Sequence, residues 1–195
     1  MVQVSPAEDL CLACGMCCNG VIFADVRLQP GDNAVRLKVL GLPLVNSRST
    51  RQGGAEALAH TMAAVPRYPK LCQPCAAVAV GRCRIYAERP KYCREFECVL
   101  LKRVKAGHTQ PAAALRVIRS AQRRAEKVRR LLRTLGDTDE NLALIERFRR
   151  TTQRLEEIGM DRASADTYGQ LTLAVHDLNY LLSEEFYPGN SASGY

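Results

Sequence analysis

Residues 10–20, LCLACGMCCNG, place four cysteines, Cys11, Cys14, Cys17 and Cys18, within eight consecutive positions. Five more follow at Cys72, Cys75, Cys83, Cys93 and Cys98, so all nine cysteines of the 195-residue chain lie between positions 11 and 98. Thiols this dense, with two Cys-x-x-Cys pairs, do not read as small buried hydrophobes. A disulfide framework is also a poor reading. The start of the chain, MVQVSPAEDLC, has neither the basic residues nor the apolar run of a secretory signal, so a cytosolic location with reduced thiols is expected. The odd count leaves at least one thiol without an intramolecular partner.

Metal ligation remains. A Cys-x-x-Cys segment brings two sulfurs to one side of the backbone, and Gly15 is free to take the left-handed conformation that wraps a chain round an ion. Soft and borderline metals bind thiolates. Nine cysteines fill two four-ligand sites with one to spare, or one centre with several packed thiols. Side chains of neighbours such as Cys17 and Cys18 diverge, so one is expected to ligate while the other serves a second centre, packs or reacts. The spacing of Cys11, Cys14 and Cys17 is that of bacterial ferredoxin cluster runs, with a fourth ligand then drawn from the distant block. Zinc accepts four of the same thiolates in a closed site. Spacing does not choose between the two metals; its match to a cubane gives iron–sulfur a slight preference. In GRCRIYAERPKYCREFEC, residues 81–98, five cations (Arg82, Arg84, Arg89, Lys91 and Arg94) crowd three cysteines and offset the negative field of bound thiolates.

These two blocks, CLACGMCC and GRCRIYAERPKYCREFEC, resemble the YkgJ-like cysteine-cluster family, described as a zinc- or iron-chelating domain. The resemblance covers about residues 8–100. It implies Cys11, Cys14, Cys17, Cys18, Cys83, Cys93 and Cys98 as ligands. The family has one mid-chain cysteine where this chain has Cys72 and Cys75, and Cys75 fits the distance to Cys83 better. Some flagellin lysine methylases carry a similar cluster, which raises an enzymatic reading, although no separate cofactor domain is apparent here.

The rest of the chain differs in kind. Residues 102–154 hold 15 Lys/Arg against 5 Asp/Glu, an excess of +10, so the remainder sums to −2 within a total of +8. The expected fold is mainly α: a small irregular cysteine-rich metal-binding domain over about 1–105, a basic helical domain of about three helices over 110–188, and a disordered tail at 189–195. The first helix carries Leu115, Ile118, Ala125, Val128, Leu132 and Leu135 at three- and four-residue steps, with Pro111 at its start and Gly136 at its stop. A second is expected to open at Asp137, three residues before Glu140, with Leu142, Ile145, Phe148, Leu155 and Ile158 on its apolar face and Gly159 at its end. A third begins near Asp161 or Ser164 and carries Leu171, Val175, Leu178, Leu182 and Phe186. In the first half, VIFADVRL reads as a strand, GDNAVRLKVL as a short helix ended by Gly41, NSRSTRQGG as a loop, and EALAHTMAAV as helical or buried.

No nucleotide, dinucleotide or radical-cofactor motif occurs. No apolar run approaches the roughly 20 residues that span a bilayer. His60 and His108 have no partner at ligand spacing, and His176 reads as a structural polar contact. Catalytic residues are not identifiable. The expected function is therefore metal binding by Cys-ligated centres, iron–sulfur or zinc, with an electron-transfer, metal-handling or enzyme-accessory role. The alternative is a zinc-stabilised interaction module. In that reading the basic helix LRVIRSAQRRAEKVRRLLR, with Arg116, Arg119, Arg123, Lys127, Arg130 and Arg133 opposite its apolar stripe, binds nucleic acid or an acidic protein partner.

Overall fold

The computed structural model describes residues 6–46, 68–79 and 82–187. The loop expected at NSRSTRQGG, apart from Asn46, the buried or helical EALAHTMAAV and the tail at 189–195 lie outside the described residues. The fold is mainly α, and among the described residues no helix is long and apolar enough to cross a membrane.

Three long helices form the second half of the chain: α5 (Pro111–Thr134), α6 (Leu144–Ile158) and α7 (Arg162–Glu185). In α5 the recurring small and branched residues Ala114, Ile118, Ala121, Ala125, Val128 and Leu132 are all buried. Pro111 lacks an N–H that a first helical turn would leave unpaired anyway, and Gly136 ends the run with φ +85°. Helix α7 is capped by Asp161, whose carboxylate accepts from the Ser164 N–H at 2.8 Å. Its buried stripe is Leu171, Ala174, Leu178 and Leu182, and it lies along α5.

Helix α6 departs from expectation. It starts at Leu144, not Asp137, and its inward face is Leu144, Arg147, Thr151 and Leu155. Ile145 and Ile158 are exposed, at 38% and 72%. The residues before it form a non-helical approach with a turn at 140–141, and the Leu144 N–H donates to the Gly20 carbonyl at 2.8 Å. Asp137 is no cap: it is buried and accepts from Arg147 Nε at 2.9 Å and Arg150 Nη2 at 2.7 Å. A polar core pair shifted the helix face by about one residue from the apolar count.

The front of the chain is built from short pieces. Helix α1 (Pro6–Cys14) leads into a turn, then β1 (Asp25–Arg27), α2 (Ala34–Val39), β2 (Leu44–Val45) and β3 (Lys70–Cys72). Strand β3 is central, antiparallel to both β1 and β2, with Val26 opposite Leu71. The strand expected over VIFADVRL is thus confined to Asp25–Arg27; Ile22 turns into the helical core instead. Helix α2 forms as expected, capped by Asn33 and stopped at Gly41 with φ +82°. A hairpin of β4 (Val78–Ala79) and β5 (Arg82–Cys83), a 3-10 turn (Tyr86–Glu88), α3 (Lys91–Glu95) and α4 (Val99–Lys105) complete it.

Two apolar clusters result. The larger joins Leu10, Met16, Ile22 and Leu100 to α5, α7 and Leu144. The smaller, Val26, Leu28, Leu37, Leu42, Leu71, Ala77 and Ile85, sits under the β1–β3–β2 sheet. Met16 is wholly buried in the first, and burying such a side chain stabilises by roughly 1.5–3 kcal/mol. It anchors the segment that carries four thiols.

Candidate metal centres

Cys11 and Cys14 stand on the last turns of α1, three residues apart and so on one face of the helix. Gly15, at φ +62°, breaks the helix, and its carbonyl accepts from the N–H groups of Cys18 and Asn19 at 3.0 Å. That tight turn presents Cys17 and Cys18. From α5, the Gln122 amide donates to the carbonyls of Ala13 and Cys14 at 3.0 and 3.2 Å, fixing the end of α1. Cys98 arrives from 84 positions after Cys14 (98 − 14) as the N-cap of α4, which packs on α1. Its Sγ accepts from the Leu101 N–H at 3.5 Å. A helix N-terminus favours a thiolate over a thiol.

The thiols divide into two neighbourhoods. Cys14, Cys17 and Cys98 pack against the larger apolar cluster. Cys11 interacts electrostatically with Cys98, and Cys14 and Cys17 each do so with both. Cys75, Cys83 and Cys93 pack against the smaller cluster. The Cys75 N–H donates to the Cys18 carbonyl at 2.8 Å, and Cys83 lies opposite Val78 in the hairpin. Cys18 interacts first with Cys75 and Cys83 but also with Cys11, Cys14 and Cys17, so it stands between the two neighbourhoods. Cys93 interacts with Cys18, Cys75 and Cys83. The first set is Cys11, Cys14, Cys17 and Cys98; the second is Cys18, Cys75, Cys83 and Cys93. The neighbours Cys17 and Cys18 fall on opposite sides of this division.

Cys72 joins neither set. It ends β3, is exposed, and is not among the main electrostatic neighbours of the other thiols. The second Cys-x-x-Cys pair is therefore not brought to one side, and Cys75 alone faces the hairpin thiols. His108 and His176 are both exposed; His60 lies outside the described residues.

Burial pushes the Cys14 and Cys93 thiols up to about 12 and Cys18 up to about 11, and raises Cys17 further still. Neighbouring thiolates add to each rise. Against this, the Arg89 guanidinium favours the thiolates of Cys11, Cys18 and Cys93, and Arg84 that of Cys75. Arg89 therefore faces both sets. It is itself held by donating to the Tyr86 carbonyl at 3.0 Å and lying 3.6 Å over the Tyr86 ring. Four mutually repelling buried groups favour their neutral forms until a cation enters, whose charge inverts that preference. Among the described residues no three His, Cys, Asp or Glu side chains form a ready-made metal-holding group. The sets are neighbourhoods of suitable donors, and closing either onto an ion requires further side-chain convergence.

Gln122 and Phe23 carry no motif in the sequence. Gln122 clamps α1 from the basic helix. Phe23 and Phe96 meet edge-to-face at 4.8 Å, and Tyr92 stacks on Phe96 at 5.7 Å. Tyr92 and Phe96 lie within the second cysteine block, and Tyr92 has Cys17 and Cys93 as electrostatic neighbours.

A family model described as "CxxCxxCC: Putative zinc- or iron-chelating domain" matches residues 10–114, a little over half of the chain. Comparison with curated proteins and with solved structures returned no match.

Proposed function

The chain belongs to this zinc- or iron-chelating family and is a metal-binding protein; from that premise we propose that it holds two thiolate-ligated centres, with electron transfer as the role. The first centre would use Cys11, Cys14, Cys17 and Cys98, and the second Cys18, Cys75, Cys83 and Cys93. The observation that supports this is the packing of Cys14, Cys17 and Cys98 on the larger apolar cluster and of Cys75, Cys83 and Cys93 on the smaller, with Cys11 and Cys18 beside them.

The first set has the three-residue spacings and remote fourth cysteine that suit a cubane cluster, so iron–sulfur is the favoured content. Bound iron–sulfur clusters supply one-electron chemistry; zinc supplies closure of the fold alone. The protein's own part is positional. Gly15 turns the chain, the α4 N-terminus and the Leu101 N–H favour a Cys98 thiolate, and Arg89 offsets negative charge facing both sets. Consecutive residues serving different centres bring the two within one side chain's reach of each other, which favours exchange of electrons between them. Two closed four-thiolate sets also suit structural zinc, the reading that makes this half a scaffold for the helices.

Anaerobic purification of the full chain decides between them. Iron with equimolar acid-labile sulfide and visible charge-transfer absorption is the expected result. Colourless protein with stoichiometric zinc favours the scaffold. Absence of either metal, with every thiol free to react, overturns both. Cys17→Ser and Cys18→Ser should each remove about half of the bound metal.

A further inference from the structure

The outward face of α5 carries a row of cations. At about 100° per residue, Arg116, Arg119, Arg123, Lys127 and Arg130 all fall within about 40° of the line directly opposite the buried stripe of Ala114, Ile118, Ala121, Ala125, Val128 and Leu132. All five are exposed. Among the described residues none of them forms an ion pair; the helix's one acid, Glu126, is taken by Arg129 and Arg133. Elsewhere some exposed cations are matched, as in Arg36–Glu88, Arg103–Glu185 and Arg149–Glu146. Those without an ion pair among the described residues, such as Arg27, Lys38 and Arg162, are scattered and do not line one helix face. From Arg116 to Arg130 the row covers 14 residue steps (130 − 116), about 21 Å at 1.5 Å per step. Arg119, Arg123 and Lys127 follow one another at four-residue steps, where like charges repel and weaken a helix. The chain sustains this repulsion without a carboxylate of its own to relieve it.

We propose that this row is a docking surface for the phosphate backbone of double-helical nucleic acid, read without regard to sequence. The residues decide the partner class. The face carries no aromatic or large aliphatic side chain, so it has nothing to insert into a bilayer interface and no apolar anchor of the sort that holds a protein partner. It has no ring on which an unpaired base would stack. Energy must then come from charge alone, which is the counterion-release regime of a duplex backbone. A straight helix offering a row of cations over about 21 Å matches a line of phosphates better than a folded acidic surface. The proposal is independent of which metal the cysteines hold.

The test is anisotropy of a fluorescent mixed-sequence duplex titrated with the full chain across a salt series. Five phosphate contacts predict a slope of log affinity against log salt of about −4.5, or roughly a 500-fold loss between about 50 and 200 mM. Replacing three of them (Arg119→Gln, Arg123→Gln, Lys127→Gln) should flatten the slope to about −1.8, with metal content unchanged and melting temperature equal or higher because repulsion is relieved. Arg119→Lys with Arg123→Lys keeps the charge and should keep the slope. No duplex binding at low salt, or an unchanged slope in the triple variant, overturns the proposal. So does a more than tenfold preference between unrelated duplexes. Tighter binding to poly-glutamate, or to phosphatidylserine vesicles of equal charge, assigns the face to another partner and overturns it as well.

Discussion

Asp137 is 4% exposed and takes hydrogen bonds from Arg147, itself 2% exposed, and from Arg150 and Thr151. A charge in that position is tolerable only while its partner remains. Asp137→Ala strands the Arg147 guanidinium in the core, and urea unfolding should show a loss of about 3–5 kcal/mol. The sequence assigns this residue to a helix cap because the spacing to Glu140 fits one; burial of an ion pair leaves no periodic mark. The cysteines are more legible singly than as sets. The distance argument that prefers Cys75 agrees with its place beside Cys18 and the hairpin, whereas Cys72 points away at the end of β3. Metal analysis of Cys72→Ser should match the parent, while Cys75→Ser should lose about half of the bound metal.

At the scale of elements, strong periodicity was enough for α5 and α7. Most of their expected stripe is buried, and their starts at Pro111 and Asp161 form as the sequence implies. Leu115, Leu135 and Val175 are only partly buried, however, and Phe186 lies just past the end of α7. The cap of α7 gives a signed pH dependence. Hydrogen bonds from Ser164 hold the Asp161 carboxyl below its ordinary value of 3.8. Its stabilising effect is complete above that ordinary value and disappears as pH falls through the lower folded one. Asp161→Ala should therefore melt below the parent at neutral pH, and the gap should close on acidification. The front end was poorly legible because its strands run two or three residues, too short for a period to show. Its register rests on single contacts. Gly20, at φ +78°, has a carbonyl bonded to Leu144, and a Cβ there would come within 2.9 Å of the Ala143 backbone. Gly20→Ala should cost about 1–3 kcal/mol, read as a lowered melting temperature with the α6 approach displaced.

Across the whole molecule, the larger apolar cluster includes residues from α1 and the cysteine turn together with α5 and α7. Composition alone, which changes sharply near residue 100, gives no hint of that shared packing. The candidate centres link positions as distant as Cys11 and Cys98, so ligand binding and folding of the front end are coupled. Chelation under reducing conditions should lower the melting temperature and loosen residues 10–46, while α5 and α7, packed on each other along their stripes, keep most of the far-ultraviolet helical signal.

The account stands most directly on which thiols are held. Cys11 and Cys72 are both exposed, so accessibility alone predicts that an alkylating probe marks both. Mass mapping of the metal-loaded chain after brief alkylation should find Cys72 modified and the other eight protected, with protection lost on chelation. Equal labelling of Cys11 and Cys72 in the loaded protein would contradict two four-thiolate centres.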